Sequence, residues 1–419
     1  MSMSTALSGL NAADTALQTI SNNLANMNTD GFKSQTSSFS DLFYQTLGTS
    51  GGGDPIQSGL GVQVSGTAQD FSNGAIASTG VSSNMALDGA GFFVLQSSSG
   101  GQTYTRNGDF TTNAAGQLTT QDGQLVLGYP AVNGVISANA ALQPINVGSG
   151  TSAAATATAN VSLTTNLDAS AAVNTTFQSP ISVYDSLGDA HQLTVTYTKT
   201  ASNTWSYDVT IPTADLAGTT APPATTSIAS GTLAFDSSGQ LVPTAPATSV
   251  APVTLSVGAL ADGAAPLNVN WDLTDANGNS LLTQTASASS NNATTQDGFA
   301  AGVLSSYEVQ GDGTVEATFS NGETRAIAQV AVAGFANPEG LILEGNSQYA
   351  ATSSSGAAVI GAAGTAGRGT IDGSSVEQSN VDMATQFSNL IVYQRAYEAN
   401  AKAITAFDQM EQATIQMKS

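Results

Sequence analysis

Few residues in this chain could carry chemistry. The single histidine, His191, reads as lying on a strand edge, with no Ser or Cys partner in any recognisable nucleophile motif. Cysteine is absent, which rules out a Cys/His zinc site, a disulfide framework and a thiol nucleophile. Ala357-Ala358-Val359-Ile360 runs into Gly361, Gly364 and Gly367, a pattern close to a strand entering a dinucleotide-binding turn. The spacing is G-x-x-G-x-x-G rather than G-x-G-x-x-G, and no helix of useful length precedes Asp372-Gly373. That stretch reads as a linker. Acidic residues could pair for sugar hydrolysis, but Asp88, Asp122, Asp236 and Asp312 precede or neighbour glycine, where carboxylates serve turns. His191 therefore reads as structural. No catalytic, cofactor-binding or metal-ligating residue is assigned, and no cofactor or enzymatic activity is expected.

The periodic elements say more. Met3, Leu10, Leu17 and Leu24 fall seven apart, and Ala6, Ala13, Ile20 and Met27 follow each by three. Near the other end Met383, Leu390, Tyr397 and Ile404 repeat the spacing, flanked by Tyr393 and Phe407. Two such stripes can bury themselves against each other or against neighbouring copies. The intrachain hairpin is the commoner use of such a stripe.

Composition removes other classes. The chain has 419 residues, enough for several domains, and is 41% hydrophobic but only 9% charged. Thirty acidic against eight basic residues give a net charge of −22, so no basic face exists for nucleic acid. No apolar run approaches the roughly 20 residues of a membrane span. The first 30 residues show no cleavable secretory signal, which leaves residence in the cytoplasm or export by a dedicated machine.

Four zones follow. Residues 3 to about 27 read as the first helix, with Ser21-Asn22-Asn23 a poor helix interior and Asn28 and Gly31 supplying a reversal. Thr49-Ser50-Gly51-Gly52-Gly53-Asp54-Pro55 reads as a linker. From about 60 to 145 the texture is strand and turn: Gly61-Val62-Gln63-Val64 alternates, Asn73-Gly74 is a hairpin signal, and Phe92-Phe93-Val94-Leu95 is a buried strand. Residues 146–292, rich in Ala, Thr and Ser, look like a second β domain inserted into the first, which resumes with Tyr307-Glu308-Val309 and the Asp312-Gly313 turn. Glycine-rich sequence from Gly356 to Gly373 leads to a closing helix near Val381. The expected fold is mainly β with terminal α-helices. It nests two antiparallel β domains with a helical coiled-coil domain of 1–27 and 381–419. An extended linker region is expected at 28–70 with 361–380, an inner β domain at 71–145 with 293–360, and an inserted outer domain at 146–292. The whole would be a rod with both helices at one end.

The end segments also carry recognisable motifs. Ser8-Gly9-Leu10, Asn22-Asn23-Leu24-Ala25-Asn26 and Thr29-Asp30-Gly31-Phe32-Lys33 closely resemble the N-terminal signature of bacterial flagellar rod and hook axial proteins. Glu377-Gln378-Ser379-Asn380-Val381-Asp382 and Tyr393-Gln394-Arg395-Ala396-Tyr397-Glu398-Ala399-Asn400 resemble their C-terminal signature. Gly91-Phe92-Phe93 and Tyr104-Thr105-Arg106-Asn107-Gly108-Asp109-Phe110 resemble the shared middle domain. Ile181 to His191 and Phe335-Ala336-Asn337-Pro338-Glu339-Gly340-Leu341 point to the hook branch.

That resemblance implies a homopolymer: a curved helical tube coupling motor rod to filament, located in the extracellular hook and basal body. It implies export through the type III apparatus without a cleaved signal. It implies contacts with distal rod and hook–filament junction proteins at the tube ends and with a hook cap during growth, and neither nucleic acid nor membrane insertion. Subunit-assembly residues would be Met3, Leu10, Leu17, Ile20, Asn23, Leu24, Met27, Phe32, Met383, Leu390, Tyr393, Tyr397, Ile404 and Phe407. The helices are expected to be largely unformed in a free subunit and to order on assembly. A distal rod or junction protein is the alternative within the family. A β-rich adhesin would carry a secretory signal and no paired heptads. A β-scaffold glycosidase would need aromatic sugar platforms, for which only Trp205 and Trp271 are available.

With −22 per subunit, moderate added salt should raise polymer yield by screening repulsion, measured by sedimentation. Yield that falls with salt contradicts the charge argument.

Overall fold

The computed structural model describes residues 3–49, 55–97, 99–137, 139–148, 151–218, 224–243 and 250–418. Residues 50–54, the heart of the expected glycine linker, lie outside them. The chain is mainly β, with helices α1 (Met3–Ala25) and α2 (Met383–Lys418) flanking the strands. It divides into two compact units. One holds 1–148, 306–317 and 324–419; the other holds 149–305 and 318–323. The second unit thus runs past the expected boundary at 292.

In the first unit the sheet is built around Phe92–Gln96, Leu125–Val132 and Thr324–Gly334, which pair antiparallel. Phe92-Phe93-Val94-Leu95 is buried on both faces. Phe93 and Leu95 enter a core with Met85, Leu87, Phe110, Val126 and Val332, while Phe92 and Val94 enter another with Tyr104, Leu127 and Tyr349. The two-residue period of a strand makes one apolar run serve both faces. Asp312-Gly313 turns as expected, with Gly313 at φ 85° and the Asp312 carboxylate accepting the Thr314 N–H at 2.9 Å.

Three expectations change here. The stretch 28–70 is not an extended linker: Gln35–Asp41 pairs with Val62–Gln69, and Tyr44–Thr49 pairs with Pro55–Gly59. The glycine-rich stretch 356–373 is likewise structured, since Val359–Ala362 joins Thr324–Gly334 and Thr370–Gly373 joins Met85–Asp88. Backbone pairing holds these segments whatever their side chains lack. Asn73-Gly74 makes no hairpin, because Val62–Gln69 and Ile76–Ser78 pair with other strands. Gly74 is needed for close approach instead: a Cβ there would lie 1.9 Å from the Gln378 carbonyl oxygen.

The second unit is a sandwich. An antiparallel sheet of Thr176–Tyr184, Ala190–Ala201, Thr204–Pro212, Thr225–Phe235 and Leu241–Val242 shares one core with a sheet of Val253–Val257, Leu267–Asp272, Asn160–Asp168, Leu282–Thr285 and Ser290–Gln296. Within the second sheet Asn160–Asp168 runs parallel to both Leu267–Asp272 and Leu282–Thr285, which departs from the antiparallel expectation. Trp205 and Trp271 are fully buried, and the Trp271 ring meets Tyr207 edge-on at 5.3 Å. Neither tryptophan can be a sugar platform.

Trp271→Ala should cost this unit about 3–5 kcal/mol through the cavity it leaves. Urea unfolding followed by Trp205 emission measures it, and a cost below 1 kcal/mol, on the order of an exposed substitution, contradicts the assignment.

Candidate assembly surface at the terminal helices

Helix α1 forms from alanine-rich sequence without proline, and it stops at Ala25, so Met27 lies in the following turn. The Asn22-Asn23-Leu24-Ala25-Asn26 motif explains the stop. Asn26 Nδ2 donates back to the Asn22 carbonyl at 2.9 Å and to its side-chain oxygen at 3.0 Å. Helix α2 begins where the Asp382 carboxylate accepts the N–H groups of Ala384 and Thr385 at 2.8 and 3.2 Å. These hydrogen bonds hold the Asp382 carboxyl below its usual range.

The helices pack as an antiparallel pair. Near one end a Cβ on Gly9 would come within 2.9 Å of the Asn400 side chain, and near the other Asn23 Nδ2 lies 3.4 Å from Gln386 Oε1. Both contacts sum to 409, so α1 runs out near Phe407 and α2 continues past it. The face that α1 buries is not its leucine row. Ala6, Ala12, Ala13, Ala16, Thr19, Ile20 and Asn23 are buried, while Leu10, Leu17 and Leu24 are half-buried and Met3 is exposed. Gly9 lets α1 approach α2 closely.

Three residues expected in subunit contacts are taken up inside the chain. Ile20 is buried, Phe32 is buried in the β unit, and Asn23 holds both backbone groups of Gln35, donating to its carbonyl at 2.8 Å and accepting its N–H at 2.9 Å. On α2, Leu390, Tyr393, Ile404 and Phe407 are half-buried, with the Tyr393 ring 6.2 Å from Phe39. Met383 and Tyr397 are exposed, together with Phe387, Ile391, Val392, Met410, Ile415 and Met417. Both helices are formed and packed on one another, and the overhang from Asp408 onward, exposed throughout its described residues, is what lacks α1 beside it.

Below the helices lies a charge cluster that sequence reasoning did not single out. Lys33 and Glu377 are fully buried with Nζ 2.6 Å from Oε1. Arg106, 1% exposed, places a guanidinium nitrogen 3.7 Å from the other Glu377 oxygen and donates to the carbonyls of Leu87 and Gly89 at 3.2 and 2.7 Å. Lys33 also donates to the Ser72 carbonyl at 2.7 Å, and the Gly74 N–H to Glu377 at 2.9 Å. Burial pushes the Lys33 ammonium down, with Arg106 adding to it and Glu377 opposing; burial lowers Arg106 too, again against Glu377. Backbone pairing completes the join: Gly31 at φ 68° donates to the Glu377 carbonyl at 2.7 Å, and the Asn380 side chain spans the Ser34 N–H and the Asp70 carbonyl, each at 2.8 Å. The signal was available, since two of only eight cations stand inside the motif stretches Gly31-Phe32-Lys33 and Arg106-Asn107-Gly108.

Comparison with known proteins bears on this surface. A family model described as flagella basal body rod protein matches residues 3–33, and one for the flagellar basal body rod FlgEFG protein C-terminal matches 373–417. The flagellar hook protein FlgE/F/G D1 domain matches 86–164, and the flagellar basal body protein FlaE D2 domain 150–299. The flagellar hook protein FlgE of Escherichia coli K12 is 35% identical over 431 residues, covering 100% of both chains. That of Treponema pallidum is 30% identical, covering 100% of this chain and 99% of the relative. A crystal structure of Helicobacter pylori flagellar hook protein FlgE2 shares the fold, with a TM-score of 0.51 at 15% identity, over 70% of this chain and 98% of that one.

Glu377→Ala should cost about 3–5 kcal/mol, because it leaves two cations buried without their carboxylate. Thermal unfolding reads the loss, and a cost near that of an exposed ion pair, on the order of 0–1 kcal/mol, contradicts the clamp.

Proposed function

The chain belongs to the flagellar hook protein family and is a structural subunit of the flagellar hook, and on that premise we propose that its paired terminal helices are the surface through which copies assemble. One observation carries the proposal: α2 is apolar on more than the face that α1 covers. Met383, Phe387, Ile391 and Val392 stand exposed in the paired part, and Met410, Ile415 and Met417 on the overhang. A helix that is apolar on several sides is stable when it is buried on several sides.

Neighbouring copies supply that burial. Head-to-tail contacts whose rotation does not close produce an open helical tube. Met3, Leu10, Leu17, Leu24, Met27 and Met383, with Leu390, Tyr393, Tyr397, Ile404 and Phe407, are the side chains in position to meet a second chain. Ile20, Asn23 and Phe32 act from inside by holding α1 and the chain after it in place. The β units are carried outward as the tube wall, and the sandwich of residues 149–305 with 318–323 makes the weaker contacts that slide as a curved tube turns. The same reading places distal rod and hook–filament junction proteins at the tube ends, a cap at the growing tip, and export through the type III apparatus without a cleaved signal. Sparse charge and the absence of disulfides suit a chain threaded through a channel.

Deleting residues 3–25, or 383–418, should abolish polymer while Trp205 and Trp271 keep native emission. Tubes seen in negative stain from either deletion contradict the proposal. A cut from 375 onward differs, because it also removes Glu377 and should destabilise the first unit. In hydrogen exchange, amides of the overhang 408–418 should exchange fast in the free subunit and become protected in the polymer, since so short a helix is marginal alone. Equal exchange in both states contradicts a role for the overhang.

A further inference from the structure

The one imidazole of the chain stands among three carboxylates brought from three separate segments. His191 is 7% exposed, paired with Val183 across the hairpin that turns at Asp185–Asp189. Asp185 is fully buried. Its Oδ1 accepts the N–H groups of Leu187, Gly188 and Asp189 at 2.8, 2.7 and 2.9 Å, which fixes Oδ2 toward the ring, 3.4 Å from Nε2. Asp262, in the loop before Leu267–Asp272, is held the same way. Its Oδ1 accepts the Ala264 N–H at 2.8 Å, and its Oδ2 stands 3.5 Å from Nε2. The other ring nitrogen, Nδ1, lies 3.2 Å from Asp215 Oδ2 in the short turn Thr213–Asp215, whose last carbonyl takes the Ala261 N–H at 2.9 Å.

Nδ1–H can donate to Asp215. In that tautomer Nε2 carries a lone pair facing two carboxylate oxygens, an arrangement that calls for a positive charge between them. A proton on Nε2 would have to be shared between oxygens at 3.4 and 3.5 Å, outside the usual N–H···O range of about 2.7–3.2 Å. A tetrahedral cation with bonds of about 2.0–2.1 Å sets its ligand atoms roughly 3.3–3.4 Å apart. Both nitrogen-to-oxygen distances are close to a tetrahedron's edge, and the three ligand atoms all lie within 4.8 Å of one another. One Nε2 and two carboxylate oxygens, with the imidazole oriented by a third carboxylate through Nδ1–H, is also the ligand and support set of a zinc site. The Asp262 side chain is 21% exposed, which provides a way in and room for water as fourth ligand.

We propose that His191 Nε2, with Oδ2 of Asp185 and of Asp262, binds a zinc-class divalent cation, Asp215 being the positioning residue. The nitrogen ligand disfavours calcium and magnesium, which take oxygen sets. The cation would join the hairpin of one sheet to the loop entering the other, stapling the sandwich at that end. Sequence reasoning assigned no metal here because Asp262 stands far along the chain from His191, and only the closed sandwich brings them together.

The test uses the full chain, monomeric and stripped with chelator. Calorimetric titration with Zn2+ at neutral pH should show one site per chain, and Co2+ should give the visible absorption of a tetrahedral complex. His191→Gln and Asp262→Asn should each weaken Zn2+ binding by about tenfold or more, as should Asp215→Asn. Zn2+ should raise the unfolding temperature read by tryptophan emission in the parent and not in His191→Gln. Asp262 is exposed, so Asp262→Asn keeps the test informative if a change at His191 impairs folding. No saturable Zn2+ binding, or binding that survives both substitutions, overturns the proposal. So does a sandwich indifferent to Zn2+ that gains stability only on acidification through the histidine range, which would assign Nε2 to a proton.

Discussion

The buried contact of Lys33, Glu377 and Arg106 is the constraint on which the rest of the chain depends. It lies where the segment leaving α1 meets the segment entering α2, and both cations and the carboxylate are almost wholly removed from water. Such a cluster adds little net stability over an apolar core of the same volume, but it cannot be half-made. Moving either chain end strands a charge in the interior. The cluster therefore fixes register: the two helices start from fixed positions, side by side, because the sequences that lead into them are locked to one carboxylate. Gly74, Gly31 and Asn380 serve the same join by letting backbones approach and by filling hydrogen bonds.

From that join the helical pair takes its character. Helix α1 buries alanines, Thr19, Ile20 and Asn23 between α2 and the strand Gln35–Asp41: Gly9 approaches Asn400, Asn23 reaches Gln386 and Gln35, and Thr19 bonds Ser37. Small side chains give close approach but bury modest apolar area, so the larger hydrophobics are left at the rim and on the outside of α2. A single chain thus holds its helices in place without satisfying them. In the proposed assembly this hydrophobic surface is what copies bury against one another, and at roughly 25 cal/mol per Å² that burial would be a sizeable driving force.

Strong local patterns were legible in the sequence. The heptads forecast both helices, Phe92-Phe93-Val94-Leu95 forecast a buried strand, and Asp312-Gly313 forecast its turn. Readings failed where long-range pairing decides the outcome. Asn73-Gly74 carries hairpin chemistry, yet its backbone is claimed by Gln378 and Glu377 from some three hundred residues away. The glycine-rich stretch after Gly356 looks like linker because its core side chains, Ile360, Ala363 and Ile371, are spaced widely among glycines. The heptad count marked the leucines of α1 as the seam, whereas the alanines are the residues buried most completely and Gly9 approaches α2 closely; hydrophobicity alone does not say which side of a stripe faces inward. Lys33, Arg106 and Glu377 sat in motif segments as signature letters, and their meeting becomes visible only once both chain ends are folded against the turn that carries Arg106.

The central claim is that α2 keeps an apolar face for other copies while α1 holds its opposite side. Because the chain has no cysteine, one introduced thiol reports on that face without interference. Ile391→Cys, on the exposed side of α2, should react freely with a maleimide in the monomer and be shielded in polymer assembled before labelling. A thiol that reacts at the same rate in both states, with tubes intact, would mean that this face never meets a neighbour.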